Sequence, residues 1–149
     1  MSARPLRIGI DARTVGHPKT GDRTYALGLL HGLATLRREG TCDHEFIAYL
    51  DADPPPELPF MVDGRVEAGW QVRALQAAHD RLWTLAALPA AARADGLDVL
   101  HVQYNGPRLR RPALVTTVHD VSFRLFPEWF PVRDRLLLDW GLRSTLGAA

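Results

Sequence analysis

The sequence predicts an α/β fold: a Rossmann-like, doubly wound, mainly parallel sheet. Three observations predict it. Short runs of β-branched and aliphatic residues alternate with stretches of helical periodicity. Several runs end in polar residues, the pattern of strands that deliver side chains to a crevice at their carboxyl ends. Glycine and proline mark the boundaries between them. A chain of 149 residues suits one domain over residues 1–149 and buries enough surface to hold a core without disulfides or metals.

The elements follow in order. Leu6 to Asp11 reads as a buried strand. Asp22 to Glu39 reads as a helix, since Ala26, Leu29, Leu30, Leu33 and Leu36 fall near one face, and Gly40 is placed to stop it. Gly28 and Gly32 lie one turn apart inside it, each at a cost of ~1 kcal/mol against alanine. A close approach of this helix to the sheet would explain them. Glu45 to Leu50 reads as a second strand, and Asp51 to Pro59, with three consecutive prolines, as a loop. A weak third strand is expected near Arg65 to Ala68. Leu75 to Ala94 has a helical pattern that Pro89 should kink or split. Asp98 to Gln103 is a strand, Tyr104 to Pro112 a loop, and Ala113 to His119 the last strand. Pro131 suits a helix first turn, with Val132, Leu136, Leu137 and Trp140 giving the helix face.

Composition narrows the function classes. Basic and acidic residues number 18 and 17, so no basic face argues for nucleic acid. The local cluster Arg108, Arg110 and Arg111 reads as solvated surface, with an anionic ligand or lipid headgroup as the other reading. Cys42 is the sole cysteine, which suits a reducing, cytoplasmic setting. The most apolar stretch, Leu82 to Ala92, is far short of the ~20 residues of a membrane span. There is no His/Cys spacing for zinc, no serine nucleophile elbow, and neither a dinucleotide glycine fingerprint nor a Walker lysine.

If the first strand is central, the crevice gathers the loops Ala12 to Gly21, Tyr104 to Arg111, and His119 onward. Asp11 and Arg13 end the first strand. Thr20-Gly21-Asp22 opens a helix, where backbone N–H groups favour an anion, although Thr20 or Asp22 as an ordinary cap explains the residues equally well. His119 and Asp120 follow the run Val115 to Val118, and His119 is read as a functional donor, base or ligand. His101 reads as a satisfied core histidine, and His17, His31, His44 and His79 as surface residues. Phe123, Phe126, Trp129 and Phe130 either pin a loop to the core or wall a sugar or lipid site. Tyr104 and Asn105 pose the same choice, with a turn as the alternative.

These residues resemble a known family. IGIDAR (Ile8 to Arg13), TGDRTYALGLLHGL (Thr20 to Leu33), DVLHVQYN (Asp98 to Asn105) and VTTVHDVSFRLFPEWFP (Val115 to Pro131) are together similar to the N-terminal signature of glycosyltransferase family 4. Asp22-Arg23-Thr24-Tyr25 departs from the more usual Gly-x-Gly-Arg-Tyr loop. The resemblance implies the N-terminal, acceptor-side half of a GT-B enzyme, with a second Rossmann-like domain binding the nucleotide-sugar donor. It implies transfer to a glycan, lipid or other acceptor with retention of configuration, and no cofactor or metal. It implies that His119 contacts the donor sugar and that Asp120 orients His119 or its loop. Asp11, Arg13, Thr20, Gly21, Arg23, Tyr25, Tyr104 and Asn105 would then border the substrates. The family continues beyond the position of Gly147-Ala-Ala149 with a further strand and the donor domain. The expectation is a fragment, inactive alone and prone to self-association, with peripheral membrane contact left open. The competing reading is a non-catalytic Rossmann-like binding or interaction module.

Overall fold

The structure is a computed structural model and describes residues 4–18 and 20–149. Five strands form one parallel sheet: β1 (Arg7–Asp11), β2 (Glu45–Leu50), β5 (Trp70–Ala74), β6 (Val99–Gln103) and β7 (Ala113–Thr117). Their spatial order is β5-β2-β1-β6-β7. The first strand is central, and the order reverses between β1 and β6. A doubly wound sheet opens its ligand crevice at such a point.

Packing on both faces follows from strand alternation. In β2, Phe46, Ala48 and Leu50 point into one core and Ile47 and Tyr49 into the other. The first core is closed by helix α1 (Gly21–Arg38) through Ala26, Leu30 and Ala34. It also holds an aromatic stack in which Trp70 lies 4.0 Å from Phe60 and 4.7 Å from Phe46 between ring centroids. The second is closed by Trp83, Leu88 and Ala92. At Gly9 in β1, a Cβ would come within 2.3 Å of Leu97 Cδ1 and 2.9 Å of the Tyr49 ring. Glycine there lets the second layer sit directly on the sheet.

Helix α1 has both ends specified locally. Thr20 accepts from the Arg23 N–H at 3.3 Å. Gly40, at φ +71°, donates to Arg37 O while Thr41 N–H reaches back to Leu36 O, a Schellman ending. The close approach expected at Gly28 and Gly32 is absent: nothing lies within 4 Å of a Cβ at either position. They occupy the exposed side of the helix, so their propensity cost gains no packing in return.

Two other expectations are corrected here. The third strand is β5, not Arg65 to Ala68. Arg65–Val66 instead forms β4 of a small hairpin with β3 (Met61–Val62) around Asp63-Gly64, both at positive φ, the sign pattern that such a two-residue turn requires. The helix expected from Leu75 begins only at Asp80, because β5 runs to Ala74 and His79 caps the start. From there Asp80–Leu82 (α2) passes through a π-helical turn, Trp83–Ala87, into α3 (Leu88–Ala94). Pro89, without an N–H to donate, lies in the first turn of α3 directly after the π-helical turn, and the helical run continues through it without a break.

After β7 come a short helix α4 (Ser122–Leu125), a 3₁₀ turn at Pro127–Trp129, and α5 (Val132–Leu146). The face expected to pack inward is outward: Leu136 is 62% and Trp140 71% exposed, and Val132 and Leu137 are exposed with them. The helix seats itself through Gly141, Leu142 and Thr145 instead. Of the four loop aromatics only Phe123 is buried, while Phe126 and Trp129 stack on one another outside. Among the described residues, no helix is long and apolar enough to cross a membrane.

Candidate functional site

A polar cleft of about 230 Å³ lies at the switch point between the ends of β1 and β6. Asp11, Arg13, Thr14, Asp22, Gln103 and Tyr104 line it, with His17 and Asp80 at its margin. Its floor is built from the two central strands, which hold their terminal side chains by register and not by loop conformation.

Asp11 ends β1 and is buried. Trp83 donates its Nε1–H to Asp11 Oδ2 at 3.2 Å, the Arg13 backbone N–H donates to Oδ1 at 3.3 Å, and the Arg13 guanidinium stands 3.5 Å away. Burial pushes this carboxyl above its ordinary value, against the opposing pull of Arg13 and Trp83. The Arg13 guanidinium also lies 5.6 Å from the Trp83 ring centroid, an attractive cation–π placement. The sign of the linkage is clear. The native state holds the Asp11 proton to higher pH than the unfolded chain, so ionisation costs stability as pH rises from about 4. That loss is complete above the raised native value. Asp11→Asn cannot titrate. The stability of the wild type relative to this variant is therefore expected to fall across that interval and then level off, as thermal melts from about pH 4 to 8 would read. A difference independent of pH would contradict it.

His119 lies two residues beyond β7, which ends at Thr117 and not at the histidine. Its Nε2 is 3.0 Å from Gln103 Oε1, and the amide of Gln103 reaches Thr14 Oγ1 at 3.3 Å. The imidazole is bracketed by two tyrosines: Tyr25 edge-on at 4.7 Å and Tyr104 tilted at 5.1 Å between centroids. Tyr104 adopts φ +59°, and its hydroxyl donates to Asp22 Oδ1 at 3.2 Å. A non-glycine residue in the left-handed region is strained, and here the strained turn brings the Tyr104 ring over His119.

Behind His119 sits a second polar group. The Tyr25 hydroxyl, Thr117 Oγ1 and His101 Nε2 form a triangle with sides of 2.7, 3.0 and 3.3 Å. Burial, aided by the nearby His119, pulls His101 below the ordinary imidazole value. A neutral His101 that donates from Nε2 to Thr117 leaves only a lone pair on its buried, unpartnered Nδ1. That is the less costly orphan.

The structure thus brings Asp11, Arg13 and Tyr104 into the lining of one cleft, with Asp22 at the start of α1, and sets His119 and Tyr25 next to it, joined to the lining through Gln103 and Tyr104. Thr20 and Gly21 stand at the same helix end, where Thr20 acts as the cap. Arg23 is turned away: its Nε donates to Val15 O at 3.0 Å and its guanidinium pairs with Glu57. Asn105 lies beyond the cleft, with its side-chain oxygen 2.5 Å from where a Cβ on Gly141 of α5 would be. Asp120 does not touch His119. Its carboxylate accepts from the backbone N–H and the hydroxyl of Ser122, both at 2.6 Å, which lowers its pKa and starts α4. Its part is to hold the loop. Gln103, Thr14, Thr117 and His101 were missed as site residues. The only sequence signal for Gln103 was its place at the end of the strand Asp98 to Gln103.

Arg108, Arg110 and Arg111 are exposed, as expected. Among the described residues, no group of His, Cys, Asp or Glu could hold a metal ion. Comparison with protein-family models, with curated proteins and with solved structures gave no match.

Proposed function

We propose that this chain is the acceptor-side half of a retaining, GT-B-type sugar transferase similar to glycosyltransferase family 4, which works against a domain that binds a nucleotide sugar. One observation carries the reading: His119, held by Gln103 and bracketed by Tyr25 and Tyr104, stands beside a polar cleft at the switch point of a parallel sheet. The lining supports a hydroxyl-rich ligand. Asp22 and Asp80, beside the buried Asp11, face one arginine, Arg13, so the cleft has no excess of positive charge for phosphate and offers acceptors to hydroxyl groups. On this reading the donor phosphates belong to the other domain and the sugar hydroxyls to this one.

Glycosyl transfer places partial positive charge on the sugar at the transition state, and acceptor groups near it help by charge placement more than by proton removal. His119 is the contact to the reacting sugar, and Asp120 keeps its loop in place. The test joins this chain to a donor-binding domain in one polypeptide and measures sugar transfer from nucleotide sugars to a panel of acceptors. His119→Ala is expected to lower kcat by about 10²-fold, the scale of one lost electrostatic contact, with less change in KM. Transfer at the full rate would remove His119 from the reaction. No transfer from any nucleotide sugar would overturn the reading itself.

A further inference from the structure

We infer that Gln103 is a positioning residue that fixes His119 as its Nε2–H tautomer, so that the imidazole offers Nδ1 as a hydrogen-bond acceptor to a hydroxyl group of the ligand. Gln103 is buried at the end of β6. Its Oε1 faces His119 Nε2 at 3.0 Å, and its Nε2 faces Thr14 Oγ1 at 3.3 Å. An amide oxygen only accepts, so the imidazole nitrogen opposite must carry the proton. In the same orientation the amide N–H donates to Thr14 Oγ1, so both ends of the amide are partnered. A neutral imidazole side chain also prefers the Nε2–H form by itself, so the pocket and the ring agree.

The consequence is directional. Among the described residues, His119 is anchored through Nε2 alone. A neutral ring then presents a lone pair, not an N–H, at its other nitrogen. That edge accepts from a hydroxyl donor and would meet a phosphate or carboxylate oxygen lone pair to lone pair. Tyr25 and Tyr104 pack against the ring at 4.7 and 5.1 Å between centroids. The part of this inference that concerns the ligand rests on the sugar-transfer reading. The tautomer rests on the hydrogen-bond geometry alone.

The test is nitrogen-15 NMR of the whole chain with labelled histidine, at about pH 9, where unprotonated imidazoles dominate. His119, assigned by its loss in His119→Ala, is expected to show a protonated Nε2 and an unprotonated Nδ1, with the Nε2–H protected from solvent exchange. Gln103→Glu, which keeps an acceptor at the same place, should preserve this pattern. Gln103→Leu should lose the protection and raise the Nδ1–H fraction to that of free histidine. The backbone amide spectrum of each variant shows whether the fold is intact. A wild-type His119 protonated on Nδ1 would overturn the inference without any variant. An unchanged His119 signal in folded Gln103→Leu would overturn it as well. Neither result bears on whether sugar is transferred, and a failure of transfer would leave the tautomer result standing.

Discussion

Replacing Trp83 with alanine is expected to cost about 3–5 kcal/mol of unfolding free energy, the range for deleting a large aromatic side chain from a packed core. Trp83 is 2% exposed and packs in the core with Ile47, Tyr49, Leu88 and Leu100. It lies in the π-helical turn between α2 and α3, where the chain crosses from the cleft to the second core. Its indole N–H also serves the site, since it donates to the buried Asp11 carboxylate. Alanine therefore opens a cavity and removes a hydrogen bond from a buried carboxyl group in one step. For a protein stable by about 5–15 kcal/mol this is a large share of the total. Trp83→Phe separates the two effects. It keeps most of the apolar contact but leaves Asp11 to Arg13 alone, and it should cost about 1–3 kcal/mol. Urea unfolding midpoints with unchanged m-values would read both. An alanine variant that loses less than about 1 kcal/mol would show that the layer collapses onto the gap, and that the indole does not hold the cleft wall.

Why the sequence revealed some of this and not the rest is physical. The strands β1, β2 and β6 are apolar on both faces and bounded by polar residues, so periodicity placed them within two residues. The central place of β1 entered the sequence reading only as a condition, and the strand order meets it. β5 was missed although Trp70-Gln71-Val72-Arg73-Ala74 alternates apolar and polar residues, the signal of a strand buried on one face. The hairpin beside it announces itself through Asp63-Gly64, a turn signal stronger than the weak strand pattern taken in its place. The α5 stripe shows the opposite limit. A run of leucines and a tryptophan at helical spacing marks an apolar face, but spacing does not say what covers it, and here nothing among the described residues does.

The site divided along the same line. Residues attached to strand ends or helix starts, such as Asp11, Tyr25 and His119, could be placed from topology. Arg23 and Asn105 could not, because their direction depends on Glu57, Val15 and Gly141, which are distant in sequence. Gln103 was invisible as a partner for His119 because the register of β6 against β7 had to be known first. That register sets Gln103 opposite Thr117, two residues before the histidine.

The second large effect is expected at Asp95, where substitution by alanine should cost about 2–4 kcal/mol. Asp95 follows α3 and is 4% exposed. Its carboxylate accepts from the Tyr49 hydroxyl at 2.8 Å and from the Arg73 guanidinium, and its backbone carbonyl accepts from Arg7 Nη1 at 2.7 Å. One residue so ties β1, β2 and β5 to the helix that crosses behind them. Tyr49 bears the greater loss. Its ring is buried in the second core, and burial first, then Asp95, drives its phenol far above the ordinary range. Without Asp95 the hydroxyl is orphaned where water cannot reach it, at about 1–3 kcal/mol. Arg73 is half exposed, so it regains water and its share of the pair is discounted accordingly. The accounting makes a sharper test than the single variant. In a Tyr49→Phe background there is no hydroxyl to orphan, and Asp95→Ala should cost at least about 1 kcal/mol less than in the wild type. Equal costs in the two backgrounds would mean that Asp95 acts through Arg73 and the α3 terminus, and that the buried hydroxyl bond does not join the sheet to its second layer.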